Sequence, residues 1–202
     1  MNKIASKEDY LFFLKADNLA LNLDKIVKPS FFNPHEILCF QQALRKVEYY
    51  LNCHANTLLQ LKARYDLRKL SLQMGYTIPI NVFGAGLSIA HRGAIVVNSA
   101  VKAGVNCRIH QGVTIGSGID DGVPVIGDNV WIGPNAVVVG KIRVADGVAI
   151  GANSYLDEDV LEPNITVAGC PAKKVSNKGS FGLWIRATEL IKKEGVKAND
   201  ET

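Results

Sequence analysis

His91 and His110 are residues of this 202-residue chain whose type suits proton transfer, and Arg92 stands beside them with a charge that could orient a substrate. Imidazole, with an ordinary pKa of about 6.5, can take up and return a proton near neutral pH, and so can activate a hydroxyl group. His91 stands in Ser88-Ile89-Ala90-His91-Arg92-Gly93, as the third residue of a six-residue unit counted from Ile89. His110 is the fourth residue of the unit that begins at Cys107, eighteen positions after Arg92. If three such units make one turn of a coil, His110 lies one coil from Arg92 and beside His91, roughly 5 Å along the axis. The three side chains would then share one outward-facing edge, dividing the work of base and substrate orientation. The alternative is that the histidines only bond their own turns.

The element that must position them is a repeat. From Ile126 to Leu161 the chain reads IGDNVW, IGPNAV, VVGKIR, VADGVA, IGANSY, LDEDVL. The first position holds Ile126, Ile132, Val138, Val144, Ile150 and Leu156, and the fifth holds Val130, Ala136, Ile142, Val148, Ser154 and Val160. Aliphatic side chains at every sixth residue face one interior if each unit forms a short strand and a turn. Asn, Gly and Asp at the fourth position suit the positive φ that such corners require. The same phase is expected upstream at Phe83, Ile89, Ile95, Val101, Cys107 and Val113. Gly116 to Val125 breaks the count and predicts an extruded loop. Four to five triangular coils over residues 77–165 follow, a parallel β-helix. Period-two alternation and hairpin dipeptides, the marks of an up-and-down β protein, are missing.

Before Gly75 the chain has no glycine, and all 18 follow from there on. The first part is therefore expected to be helical. Ser6-Lys7-Glu8-Asp9 reads as a cap opening a helix through Tyr10, Leu11 and Leu14. Asn33-Pro34 reads as a start signal for a helix with Ile37, Phe40, Leu44, Val47 and Leu51 on one stripe, running to about Asn52. A third helix is predicted over Leu58–Met74, with Leu59, Leu61, Leu67 and Leu70 among its apolar positions and Gly75 as its C-terminal cap. This part reads as a packing or oligomerisation module. After Val175, FGLWIRATELIKKEG predicts a small helix docking Phe181, Leu183 and Trp184, and KANDET a disordered end. The units are residues 1–75, helical; 76–175, the β-helix; and 176–202, the C-terminal helix and tail.

Composition narrows the class. Apolar residues at 48% and charged residues at 21% exclude disorder and coiled coil. No apolar run approaches a membrane span, and Asp and Lys within DYLFFLKAD argue against a secretory leader. A net charge of +4 gives no case for nucleic acid. Cys39, Cys53, Cys107 and Cys170 are widely spaced without a CxxC pair, so no disulfide framework is expected. A cytoplasmic enzyme or binding protein remains.

The repeat resembles the left-handed β-helix of the hexapeptide-repeat acyltransferases. The helices, followed by GAGLSIAHRGAIVVN, CRIHQGVTIG and ITVAGCPAKKV, resemble the serine O-acetyltransferase branch, which includes relatives found with surface-polysaccharide genes. The resemblance covers roughly residues 35–176. It implies acetyl-CoA as donor, a small-molecule hydroxyl as acceptor, no metal, and homotrimers or pairs of trimers with active sites between neighbouring β-helices. It implies His91 as general base, to which the coil geometry adds His110 as a second candidate and Arg92 as an acceptor-binding residue. Gly116, Ser117, Pro134 and Ala152 match small positions along the pantetheine arm, and Lys173 or Lys174 could meet a CoA phosphate. Cys170 is expected to pack rather than to act as a nucleophile.

The chain also departs from that branch. Typical members carry a carboxylate before the catalytic histidine, where this chain has Ala90. They carry a second, partnering carboxylate at a place that falls near Tyr76 here. Their loop holds an Arg-His pair for the acceptor's carboxylate, where this loop has Asp121-Gly122-Val123-Pro124. The acceptor is therefore L-serine on overall resemblance, or a sugar hydroxyl bound by Asp120 and Asp121 on the missing charged grip. The chain ends in Glu201-Thr202 and not in the isoleucine with which typical members bind the next enzyme of cysteine synthesis, so that complex is not expected. A non-catalytic or γ-carbonic-anhydrase-like β-helix is the distant alternative. It needs three histidines around zinc, with two five residues apart, and the repeat holds only His91 and His110.

Overall fold

The computed structural model describes residues 3–23, 35–119 and 121–200, the last seven as backbone only. Asn33-Pro34, Asp120 and the Glu201-Thr202 end lie outside the described residues.

Ser6 opens α1 (Lys7–Ala20) by accepting from the Asp9 N–H at 3.1 Å. The second helix, α2, spans Glu36–Asn52 and buries Leu38, Phe40, Leu44 and Val47. It is followed by α3 (Thr57–Met74), which stops at Gly75 because that residue adopts φ +74°. The expected apolar side of α3 is only partly right. Leu67 and Leu70 pack against the core, whereas Leu59 and Leu61 face solvent with Leu58 and Leu72. The described chain covers α3 on one side only, so leucine spacing alone overstated its buried face.

Among the described residues fourteen short strands follow: β1 Tyr76–Thr77, β2 Ser88–Ile89, β3 Ile95–Val97, β4 Lys102–Ala103, β5 Arg108–Ile109, β6 Thr114–Gly116, β7 Val125–Ile126. The remainder are β8 Trp131–Ile132, β9 Val137–Val139, β10 Arg143–Val144, β11 Ala149–Ile150, β12 Tyr155–Leu156, β13 Thr166–Gly169 and β14 Ala172–Ser176. They stack into three faces of a left-handed β-helix. Face one is β1-β3-β6-β9-β12, face two β4-β7-β10, and face three β2-β5-β8-β11-β13, with β14 antiparallel on the end. Phe83 and Val160 extend face two through single bridges, giving about five coils. From β7 onward the register is that of three hexads, as in Val125↔Arg143, Trp131↔Ala149 and Val137↔Tyr155. Asn129, Asn135 and Asn153 turn the corners with φ near +57°.

Upstream, the expected phase needs correction. Ile89 stacks on Ile109, Val97 on Ile115, and Ala103 on Ile126. The first-position column therefore runs Ile89, Val97, Ala103, Ile109, Ile115, with two extra residues between Ile89 and Val97. Val101, Cys107 and Val113 are buried, but as fifth-position residues. Fifth and first positions lie two apart and are both apolar, so a two-residue insertion leaves the six-residue spacing intact. The insertion falls at the corner that holds His91.

The helices close one end of the prism. Phe40 meets Tyr76 edge to face at 4.8 Å, joining α2 to the first coil. Arg45, fully buried, bonds Asp17 Oδ2 at 2.7 Å, Glu48 Oε2 at 2.9 Å, and the carbonyls of Phe83 and Gly84. Asp17 Oδ1 accepts from the N–H groups of Gly86 and Leu87. Gln41 donates to the Leu87 carbonyl, and Ser88 Oγ donates to the Ala20 carbonyl. The open edge of a first coil leaves backbone groups unpaired, and these side chains satisfy them.

The C-terminal expectation is corrected twice. The helix α4 begins at Ala187, not Phe181, and Phe181 and Leu183 are exposed. It runs to Asp200, through most of the KANDET segment expected to be disordered. Ala187, with Ile185 and Ile191, packs into the cluster of Phe13, Ala16 and Ala20 on α1. Among the described residues no helix is long and apolar enough to cross a membrane.

Candidate active site

His91 lies at the inserted corner between faces three and one, with its side chain exposed. The Tyr76 hydroxyl donates to the His91 carbonyl at 2.9 Å, so the residue at the missing carboxylate's place holds the main chain of the corner. Burial pushes the Tyr76 pKa up to about 12, and the hydroxyl remains a donor at neutral pH.

His110 follows β5 and lies opposite Ala90, whose N–H bonds the Ile109 carbonyl. The expected partner was Arg92, and the two-residue insertion accounts for the difference. His110 still comes beside His91, with ring centroids 6.4 Å apart. It is buried, its ring meets Trp131 at 4.8 Å, and its Nδ1 is 2.9 Å from the Ile132 carbonyl. A carbonyl only accepts, so the neutral ring carries its proton on Nδ1 and leaves Nε2 as an acceptor. Burial lowers the His110 pKa, with Arg108 and His91 adding to the fall against the Ile132 bond. His110 is expected to titrate below the ordinary histidine value of about 6.5, read from ring signals by NMR. Titration at or above that value would contradict the environment described. The unfolded chain protonates more readily, so this group's contribution to stability is complete above about pH 6.5 and shrinks as pH falls through it.

The other residues singled out in the sequence divide. Arg92 turns to Glu36 at the start of α2, 2.9 Å away, with both side chains well exposed. Asp121 is exposed in the extruded loop at φ +56°, and Asp120 is outside the described residues. Pro134 and Ala152 share the His91 edge in successive coils, since Asn153 N–H bonds the Pro134 carbonyl. Gly116 and Ser117 lie at the other end of face one. About five residues of extended chain, roughly 16 Å, separate them from the His91 edge. A Cβ at Gly116 would meet nothing in the chain itself. Lys173 bonds Glu158 and Lys174 bonds Glu162, each at 2.7 Å, so both charges already have partners. Cys170, expected to pack, is exposed. Among the described residues no three His, Cys, Asp or Glu side chains gather as a metal would need.

Sequence reasoning missed Arg108. It precedes Ile109 and His110, and because Ile109 is fully buried, Arg108 and His110 both point outward. Strand alternation through this segment was the available signal, hidden by the shifted phase. Arg108 Nη1 donates to Ser88 Oγ at 2.7 Å.

The hexad β-helix is that of the hexapeptide-repeat transferases: residues 124–158 match the family described as bacterial transferase hexapeptide (six repeats). The serine acetyltransferase of Helicobacter pylori (strain J99) is 34% identical over 147 residues, covering 70% of this chain and 80% of that one. The chain therefore belongs to the serine acetyltransferase family. Crystal structures agree. The Neisseria gonorrhoeae serine acetyltransferase in complex with serine is 30% identical with a TM-score of 0.60, covering 85% of this chain and 71% of that one. The Brucella abortus protein in complex with coenzyme A is 26% identical with a TM-score of 0.65, covering 86% and 70%. Matches to the curated relatives of Synechococcus elongatus and Buchnera aphidicola span only 40% and 42% of their lengths.

Proposed function

We propose that this chain transfers the acetyl group of acetyl-CoA to the hydroxyl of L-serine, giving O-acetylserine and free CoA, with His91 as general base. The observation that carries this reading is the exposed His91 imidazole at the inserted corner, 6.4 Å from the His110 ring, in a chain of the serine acetyltransferase family. His91 takes the hydroxyl proton as the serine oxygen attacks the thioester carbon. The carbon–sulfur bond then breaks, and the proton passes from His91 to the departing thiolate. Main-chain N–H groups at the corner would meet the charge on the tetrahedral oxygen. His110, held neutral by burial, offers Nε2 for orientation rather than a competing positive charge.

On the donor side, the small edge at Pro134 and Ala152 supports a pantetheine path better than the lysines, which would first have to leave Glu158 and Glu162. A homotrimer or pair of trimers fits this reading. Gly116 and Ser117 are a whole face away from His91 within one chain, and a neighbouring copy could present its own such edge there. Acetylation of a sugar hydroxyl is the second reading, favoured by Ala90 and by a loop with Asp121 and no Arg-His pair.

The test is CoA release from acetyl-CoA, followed with a thiol reagent, with L-serine and then a panel of sugars and sugar nucleotides. Serine-dependent release is expected. Release with a sugar alone would move the protein to the second reading, and silence with every acceptor would overturn both.

A further inference from the structure

A cavity of about 350 Å³ opens beside the histidine pair, between the end of α1, His35, and residues 183–185. Ala90, the neighbour of His91, forms part of its wall, and so do Ile89 and Arg108. Its polar lining is rich in donors. Arg108 spends one guanidinium nitrogen on Ser88 Oγ and, among the described residues, has no carboxylate partner. Trp184 also lines the cavity, and its buried indole N–H has no acceptor among the described residues. No Asp or Glu stands among the described residues of the wall. Burial pulls the Arg108 pKa down, and no negative charge among the described residues pulls it back. A half-buried cation without a counter-charge is unfavourable. A planar guanidinium with free N–H groups matches a carboxylate in geometry and charge.

We propose that this cavity receives the carboxylate of the acceptor, held by Arg108 as the specificity-determining residue. The proposal rests on the L-serine reading and supplies the charged grip that the extruded loop lacks. Arg108 lies in β5 and His110 directly after it, both outward-facing and about 7 Å apart at the backbone. A ligand whose carboxylate and hydroxyl lie on neighbouring carbons can therefore address both Arg108 and the histidine pair. Ala90 belongs to the same logic. A carboxylate at that position would line the cavity and compete for Arg108, and alanine leaves both the space and the charge to the ligand.

The experiment compares wild type, Arg108→Gln and Arg108→Lys on L-serine and L-serinamide, which keeps the hydroxyl and amine but lacks the carboxylate. Wild type is expected to prefer L-serine strongly. Arg108→Gln should raise KM for L-serine about ten- to a hundredfold, the range for losing charge-assisted hydrogen bonds. It should erase the preference over L-serinamide and leave KM for acetyl-CoA unchanged, and Arg108→Lys should recover part of the loss. A merely structural role would not move the discrimination between the two acceptors. Equal use of both acceptors by wild type, or an unchanged preference in Arg108→Gln, overturns the proposal and leaves serine acetylation standing. Absence of wild-type turnover on L-serine overturns both readings. Should Arg108→Gln fail to fold, the wild-type preference and the Arg108→Lys values still decide.

Discussion

His91→Ala is expected to lower kcat on L-serine by about 10²–10⁴-fold, the usual contribution of a positioned general base. KM for acetyl-CoA and the thermal midpoint should stay near wild-type values. The side chain is exposed, and the corner is held by the His91 carbonyl, which accepts from Tyr76 and survives the substitution. The loss should therefore appear in the chemical step and not in folding. His110→Ala should cost less, because His110 packs against Trp131 behind the exposed ring. If the two rings act as a unit, the double variant will lose little more than His91→Ala alone. Steady-state kinetics on the four proteins decides the matter. Turnover undiminished in His91→Ala would remove it from the mechanism and direct attention to His110 Nε2.

The parts of this protein that were legible in its sequence are those written in local periodicity. Six hexads from Ile126 to Leu161 announce the coils because every first-position side chain must fill the same prism. Ser6 and Gly75 mark helix ends because capping is a matter of a few adjacent residues. Trouble began where two patterns share one spacing. The insertion at the His91 corner is invisible to a count of apolar residues, and it shifted the inferred partner of His110 from Arg92 to Ala90. That shift also concealed Arg108. The placement of His110 near His91 survived because a slip of two residues moves a side chain along an edge without taking it off that edge. Charge networks were the least legible. Asp17 and Arg45 lie 28 residues apart, and Arg45 and the Phe83 carbonyl 38, so no local signal connects them. An arginine within an amphipathic helix looks like a solvated face until the fold buries it.

That network carries the largest expected stability effect. Arg45→Met should destabilise the protein by about 3–5 kcal/mol, because it leaves Asp17 and Glu48 buried without their counter-charge. It also removes the donors to the Phe83 and Gly84 carbonyls. For a chain of this size that corresponds to a fall in thermal midpoint of roughly 10 °C. The pH dependence has a definite sign. Burial already holds the Asp17 carboxyl above its ordinary range, and Arg45 is the main influence pulling it down. Without Arg45 the folded-state pKa rises further. The variant's deficit should therefore be smallest at acid pH, where Asp17 is protonated in both proteins, and grow as pH rises through the wild-type folded-state Asp17 pKa, which lies above the ordinary carboxylate value of about 4. Denaturant titrations of wild type and Arg45→Met at several pH values provide the measurement. A second variant separates charge from packing. Arg45→Met combined with Glu48→Gln and Asp17→Asn removes the stranded carboxylates, and should recover part of the loss and flatten its pH dependence. A deficit under about 1 kcal/mol, independent of pH, would mean that water reaches the cluster and the closure of the first coil rests on Phe40 and Tyr76 instead. The position of the cluster gives it a functional consequence as well. Asp17 and Arg45 bond the backbone of residues 83, 84, 86 and 87, immediately before the strand that leads into His91. Loosening that segment should loosen the catalytic corner, so kcat in Arg45→Met is expected to fall at temperatures below its unfolding transition, where the rest of the β-helix is intact.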